Sequence, residues 1–166
     1  CASCPGGVDV RRFDKDGATL MPINLVTGLP RNGKTLWLLT KLKDFQEKEK
    51  RPIYYANIPG LKLPWIQFDP KTWQELPVGA VVVIDEAQEY FPTRGRGEPP
   101  EWIQQLARHG HKGLDFWLVT QDPGLLDVFV RKLVQTHYHV KRTLGMQAAV
   151  VHEFIGGVRD NVAKST

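Results

Sequence analysis

This chain of 166 residues has almost no cysteine and no long apolar run. Cys1 and Cys4 are its only cysteines, too few for a disulfide framework and half of a zinc site. The longest apolar run is 80–84, far short of the ~20 residues that cross a bilayer. With 42% hydrophobic and 24% charged residues, the chain is neither disordered nor low-complexity, and its length is typical of one domain.

The net charge of +4 belongs to one end of the chain. Residues 1–130 hold 16 basic and 16 acidic side chains, whereas residues 131–166 hold 6 basic and 2 acidic ones. A basic segment of this kind can face nucleic acid or anionic lipid headgroups, or it can be a solvated surface.

The two ends of the chain differ from the middle. Residues 1–21 show no sustained hydrophobic period and lack the apolar core of a secretory signal. We expect them to be a non-native or disordered leader, with Met21 as the natural start. We expect one domain over residues 22–160 and a tail over 161–166.

Segments with strand and helix character alternate along the middle of the chain. The predicted strands are 23–27, 53–57, 78–84, 114–120, 136–141 and 148–154. The predicted helices are 34–49, 101–109 and 125–134, with a short helical segment near 70–76 and a loop at 93–100. This alternation predicts an α/β domain with a mainly parallel sheet.

The first loop carries a phosphate-binding motif. Residues 28–35 match G-x-x-x-x-G-K-[ST] between a predicted strand and a predicted helix, which is the context that the motif requires. We expect Lys34 to reach the β and γ phosphates of ATP, and the Thr35 hydroxyl to bind Mg²⁺. The nucleotide-binding candidates are Gly28, Leu29, Pro30, Arg31, Asn32, Gly33, Lys34 and Thr35.

Two acids end the most hydrophobic strand. Asp85 and Glu86 follow four apolar residues, and in a parallel sheet this strand end shares an edge with the first loop. The pattern favours Asp85 in the Mg²⁺ shell and Glu86 as the general base that orients and partly deprotonates an attacking water. Taken alone, an acidic strand end is often only the N-cap of the next helix.

Other polar residues are candidates for the same chemistry. If the strand 114–120 neighbours the Asp85 strand, Gln121 faces the γ-phosphate and positions water or senses hydrolysis; otherwise it starts a turn. Arg108 is the preferred arginine finger, a charge that stabilises the transferring phosphoryl group. The other finger candidates are Arg94, Arg96 and Arg131.

Two pairs of histidines have i, i+2 spacing, His109 with His111 and His137 with His139. Such a pair in a strand could chelate a metal. No acid or cysteine spacing accompanies either pair, so ordinary core or surface histidines are favoured.

Four segments together resemble the N-terminal domain of the zonula occludens toxin (Zot) family, which includes assembly ATPases of filamentous phages. They are GLPRNGKT, VVVIDEAQEYFP, HGHKGLDFWLVTQDPGLLD and VRKLVQTHYHVKR. The resemblance runs over nearly all of residues 22–155. It implies a three-layer P-loop NTPase at the cytoplasmic face of the bacterial inner membrane. In the family, a membrane anchor and a periplasmic part follow this domain, and we expect this sequence to stop before both.

The resemblance also implies an activity, a motor that hydrolyses ATP with Mg²⁺ to secrete a phage. Its partners would be further copies of the chain and phage single-stranded DNA or coat proteins. By fold-level analogy, Gln121 is similar to the glutamine that ends a core strand in FtsK/HerA-type DNA pumps, which work as ring-shaped oligomers.

Other functions stay open. A thymidine-kinase-type enzyme would need a Cys-rich zinc lobe, and no cysteine follows Cys4. A helicase would need a second RecA-like lobe. The remaining alternatives are a nucleotide-bound assembly module without turnover and a toxin-like protein whose receptor activity lies in the C-terminal part.

Overall fold

A computed structural model describes residues 22–143 and 149–160. The leader and the tail expected from the sequence, 1–21 and 161–166, lie outside the described residues, as do both cysteines and Met21. In the part of the chain that is described, no helix combines the length and the apolarity needed to cross a membrane.

Strands and helices alternate along the described chain, as the sequence predicts. The strands are β1 (Ile23–Thr27), β2 (Ile53–Ala56), β3 (Ile66–Gln67), β4 (Val81–Ile84), β5 (Asp115–Val119), β6 (Val134–Arg142) and β7 (Ala149–Ile155). The α-helices are α1 (Lys34–Glu49), α2 (Glu101–Gln104) and α3 (Val128–Leu133). Shorter 3₁₀ segments cover Pro70–Glu75, Ala87–Glu89, Gln105–Lys112 and Pro123–Leu125.

All seven strands form one sheet in the order β3-β2-β4-β5-β1-β6-β7. Every pairing is parallel except that of β6 with β7, which confirms the mainly parallel sheet. β1 lies between β5 and β6, and β5 separates β1 from β4. Because parallel strands end at a common edge, the carboxyl ends of β1, β4 and β5 lie side by side.

The hydrophobic core has two parts, one on each face of the sheet. In β1, Leu25 packs into one cluster and Val26 into the other, as the period of two in a strand requires. Helix α1 covers the Val26 face through Leu38 and Leu42, both buried. The segment 101–112 covers the opposite face. The domain therefore has three layers.

The predicted strand 78–84 begins three residues late, at Val81. Residues 77–80 form a turn in which the Ala80 N–H donates to the Pro77 carbonyl at 3.3 Å. Gly79 has a φ of 80° and Val78 is exposed, so these residues cannot continue the buried strand.

Two predicted helices differ from the structure. The segment predicted as a helix at 101–109 is α-helical only to Gln104, and a 3₁₀ helix continues to Lys112. The helix predicted at 125–134 starts at Val128, because the Asp127 carboxylate accepts the Phe129 N–H at 2.8 Å and so caps the helix there. The two-residue strand β3 had no signal in the sequence.

Candidate functional site

The loop between β1 and α1 rests on strand β6. Gly28 has a φ of 151°, and a Cβ at that position would collide with the Val140 carbonyl oxygen. The same oxygen accepts the Asn32 side-chain amide at 3.2 Å, and the Asn32 backbone N–H donates to Leu29 O at 3.2 Å. Strand β6 thus fixes the shape of the loop, which the sequence alone did not indicate.

Helix α1 begins at the end of this loop in a form that suits an anion. Gly33 precedes the helix with a φ of 79°, no side chain caps the first turn, and no acidic residue lies in it. The first-turn N–H groups of a helix lack partners within the helix and carry the positive end of its dipole. They are therefore donors that phosphate oxygens can use.

Lys34 is buried beside these donors. Its Nζ donates to the Leu29 carbonyl at 3.1 Å. Burial lowers the pKa of Lys34, while the negative charges of Glu86 and Asp85 act in the opposite direction. The ammonium group therefore lies near both acids that end β4, as the sequence predicted for the two motifs.

The Thr35 hydroxyl donates to Asp85 Oδ2 at 2.7 Å. The other carboxylate oxygen of Asp85 accepts the Glu86 backbone N–H at 2.8 Å. Burial raises the pKa of the Asp85 carboxyl, and these two hydrogen bonds and the Lys34 charge counter that effect. A hydroxyl oxygen and a carboxylate oxygen in contact are the hard ligands that Mg²⁺ takes in proteins, so the pair fits this cation.

Glu86 stands in a left-handed backbone conformation, with φ 47° and ψ 49°. This conformation is uncommon for any residue with a side chain. The Glu86 carboxylate accepts the Gln88 side-chain amide at 2.5 Å, and Gln88 Oε1 accepts the Thr120 hydroxyl at 2.8 Å. The sequence interpretation missed Gln88 and Thr120, although a threonine at the end of an otherwise apolar strand was a possible signal.

Gln121 lies at the same edge of the sheet. It follows strand β5 by two residues, and β5 pairs with β4, with Ile84 opposite Leu118, so the strand neighbourhood on which the predicted role of Gln121 depended is present. Gln121 is exposed and directly follows the buried Thr120.

The four candidate arginine fingers have different surroundings. Arg108 is exposed on the 3₁₀ segment that leads into the amino end of β5, the edge opposite the loop. Arg94 pairs with the buried Asp127 at 2.7 Å, and Arg131 pairs with Asp160 at 3.4 Å. Arg96 is exposed.

The histidines of β6 lie beneath the loop. His137 Nε2 is 2.6 Å and His139 Nδ1 is 3.0 Å from the hydroxyl oxygen of Thr27, the last residue of β1. Burial, with a contribution from the charge of His139, lowers the pKa of His137 to about 4. Burial also lowers the pKa of His139. The pair therefore supports the strand that leads into the phosphate motif.

A profile of the family described as "Zonular occludens toxin (Zot)" matches residues 66–164, more than half of the chain. The chain belongs to the Zot family. The resemblance of its four segments to that family is thereby confirmed.

This Zot-family chain is more than 30% identical to a phage protein and to a protein domain of known structure. One is the "Putative assembly protein ORF301" of Pseudomonas phage Pf3, 35% identical in an alignment of 142 residues that covers 80% of this chain and 46% of the relative. This chain thus spans about half the length of that relative. The other is the crystal structure of the N-terminal domain of zonular occludens toxin from Neisseria meningitidis, with a TM-score of 0.75 and 31% identity. That match covers 87% of this chain and 89% of the other.

A more distant structure has the same fold. The genome packaging NTPase B204 of Sulfolobus turreted icosahedral virus 2, in complex with sulfate, superposes with a TM-score of 0.59 at 17% identity. The match covers 75% of this chain and 76% of B204. Together with the Zot domain, it shows that the fold is that of a P-loop NTPase.

Proposed function

We propose that this chain is the ATP-binding and ATP-hydrolysing domain of a phage assembly motor. One observation carries the proposal, the contact of 2.7 Å between the Thr35 hydroxyl and the Asp85 carboxylate. It joins two motifs that are 50 residues apart in the chain at the edge of the sheet where ligands bind. Membership of the Zot family and the name of the Pf3 relative support the link to phage assembly.

In this proposal, the chain binds the triphosphate through the loop 28–33, the first turn of α1 and Lys34. The backbone N–H groups and the ammonium group would hold the phosphate oxygens in place. Thr35 and Asp85 would hold Mg²⁺, which supplies positive charge against the phosphate oxygens when it is bound. The oxygen donors of both side chains, already in contact, fit that cation.

Glu86 is the proposed general base. Its carboxylate would orient the attacking water and accept one of its protons, while the water oxygen attacks the γ-phosphorus and ADP leaves. Gln121, exposed at the same edge, would help to position that water. Arg108 lies on the segment before β5, toward the edge of the sheet opposite the loop. We therefore propose that it acts as the arginine finger in the site of a neighbouring copy in a homo-oligomer.

The proposed partners are phage single-stranded DNA or coat proteins, and the proposed location is the cytoplasmic face of the bacterial inner membrane. Two exposed basic residues at the end of β6, Lys141 and Arg142, support a contact with an anionic partner. Phosphate backbones and anionic headgroups both attract such residues.

ATP binding and hydrolysis by the purified chain test the proposal. Lys34→Ala should weaken ATP binding, whereas Glu86→Gln should bind ATP normally and stop turnover. Lys43→Ala, a change at an exposed lysine on the same helix, is the matched control and should behave as wild type.

Assays should span a range of protein concentrations, with and without single-stranded DNA, because an arginine supplied by a neighbour acts only in the oligomer. ATP binding without hydrolysis under all these conditions would instead identify a nucleotide-bound assembly module. Phosphate transfer to thymidine would identify a kinase. Undiminished ATP affinity in Lys34→Ala would contradict the nucleotide site itself.

A further inference from the structure

The Gln88 side chain connects the acid that ends β4 to the end of β5. Its Nε2 donates to the Glu86 carboxylate at 2.5 Å, and its Oε1 accepts the Thr120 hydroxyl at 2.8 Å. Both ends of one amide are thus used, each in the role that its chemistry permits. Thr120 directly precedes Gln121, so the connection reaches the second polar strand end of the site.

We propose that Gln88 is a positioning residue for ATP hydrolysis, a role that rests on the proposed function. It holds the Glu86 carboxylate in one place and makes that place depend on the end of β5. A shift of Thr120 and Gln121 when the γ-phosphate binds or leaves would therefore move Glu86 as well. No feature of the sequence had assigned Gln88 a role.

The turn that carries Gln88 has anchors other than this amide. Gln88 lies half-buried on the 3₁₀ turn Ala87–Glu89, and the turn is anchored by Ala87 and Phe91, both fully buried. The Phe91 N–H donates to the Ala87 carbonyl at 2.9 Å. The next side chain, Glu89, is held separately by the Asn57 amide at 3.1 Å. Loss of the Gln88 amide should therefore leave the turn in place and free the Glu86 carboxylate.

The amide also has one favoured orientation. In the reversed orientation its carbonyl oxygen would face the Glu86 carboxylate, and two acceptors would lie in contact without a proton between them. The Glu86 carboxylate, which can only accept, therefore sets the orientation of the amide, and the buried Thr120 hydroxyl then donates to Oε1. A single orientation is what a positioning role requires, because a side chain that flips would leave the carboxylate in two places.

The test compares variants that keep shape and remove hydrogen bonds. Gln88→Met keeps the length of the side chain, and Thr120→Val keeps the branched shape in the buried strand end. We expect each to lower kcat for ATP by about 10-fold or more while ATP affinity changes by less than about 2-fold, as for loss of an interaction made in the transition state. Thr120→Ser, which keeps the hydroxyl, should restore turnover.

The double variant measures the connection itself. We call the chain of hydrogen bonds from Thr120 through Gln88 to Glu86 the relay. If both residues act through this relay, the double variant Gln88→Met with Thr120→Val should be no slower than either single variant. Gln104→Met is the matched control, because Gln104 is an exposed glutamine whose side-chain amide donates to the nearby Pro99 carbonyl at 2.7 Å. It should hydrolyse ATP at the wild-type rate. Thermal unfolding of every variant verifies that each is folded.

The outcomes separate the relay from the proposed function. Wild-type turnover in Gln88→Met, or fully multiplicative losses in the double variant, would overturn the relay while the wild type still hydrolyses ATP. Equal losses in Thr120→Ser and Thr120→Val would also overturn it, because the hydroxyl would then be irrelevant. A wild-type chain that binds ATP and never hydrolyses it would overturn the proposed function, and the relay with it.

Discussion

His137 donates a hydrogen bond to Thr27 beneath the loop 28–33. The Arg159 backbone N–H donates to Nδ1 of His137 at 3.2 Å, so in the neutral imidazole the proton belongs on Nε2, which lies 2.6 Å from the Thr27 hydroxyl. That hydroxyl can then donate to Nδ1 of His139, at 3.0 Å. The result is a directional chain of hydrogen bonds that works only while His137 is neutral.

We predict that the chain loses stability as the pH falls from about 6.5 to about 4. In this range the unfolded chain binds a proton at His137, whose ordinary pKa is 6.5, while in the folded chain the pKa is lowered to about 4. The unfolded state therefore binds more protons, and its free energy falls relative to that of the folded state. The full loss, below pH 4, is on the order of 3 kcal/mol. Urea denaturation at a series of pH values measures it.

His137→Gln should flatten this pH dependence. The glutamine amide can keep the donor to Thr27 and has no group that titrates in the range. Some slope should persist, because burial lowers the pKa of His139 as well. His111→Gln, at an exposed position, is the control and should keep the wild-type slope. An unchanged slope in His137→Gln would contradict the assignment.

Gly28→Ala should destabilise the fold more than Gly33→Ala. Both glycines have positive φ, which costs a residue with a side chain about 1–2 kcal/mol. Only at Gly28 would the new Cβ also meet the Val140 carbonyl, an overpacking that adds about 1–3 kcal/mol. Gly95→Ala, in open space, is the control, with an expected change within about 0.5 kcal/mol. Equal losses of stability in the Gly28 and Gly33 variants would show that the Val140 carbonyl does not exclude a side chain at position 28.

Thr35→Val should remove the magnesium-dependent part of ATP binding. The variant keeps the shape of the side chain but loses the hydroxyl that contacts Asp85. We expect ATP affinity with Mg²⁺ to fall by about 10-fold or more, and affinity in excess chelator to stay close to wild type. Thr35→Ser keeps the hydroxyl and should bind as wild type. The same loss with and without Mg²⁺ would indicate damage to the loop instead of a lost ligand.

Arg94→Ala should lower stability, because it leaves the buried Asp127 carboxylate without its cationic partner. Since Arg94 remains partly exposed, we expect a cost of about 1–2 kcal/mol, below that of a fully buried pair. Urea denaturation measures it, and Arg96→Ala at an exposed neighbour should change stability by less than about 0.5 kcal/mol. Wild-type stability in Arg94→Ala would contradict this reading.

Arg108→Ala should leave stability unchanged and lower the ATPase rate only where the protein is oligomeric. Arg108 is exposed and lies toward the edge of the sheet opposite the loop. A loss of rate at protein concentrations where the chain is monomeric would place its action within one copy. Sedimentation alongside the rate measurements identifies the two regimes.

The sequence predicted those parts that local chemistry determines. The bounds of β1 and α1 match the predicted 23–27 and 34–49, because a β-prone run ends at a glycine loop that leads into a Leu- and Lys-rich helix. The two motifs also meet as expected, through Thr35 and Asp85. The predicted strand 78–84 was too long because Gly79 turns the chain where hydropathy alone continues it.

The parts that the sequence did not predict depend on which strands are neighbours. The Gln88 relay exists because β5 lies beside β4, and the support of Thr27 by His137 exists because β6 lies beside β1. Strand order is a property of the whole sheet, so the sequence around Gln88 or His137 does not predict their partners. A long-range contact of this kind becomes visible only once the chain is folded.

The position of β1 in the sheet determines when the candidate nucleotide site can form during synthesis. β1 is the first strand of the described chain, yet both of its partners, β5 and β6, come from residues 115–119 and 134–142. Pairings so distant in sequence form late and slowly, since a long loop must close first. On the ribosome, the loop 28–33 would lack its contacts with Val140 until β6 has emerged. A nascent chain should therefore acquire affinity for ATP only near the end of the domain's translation.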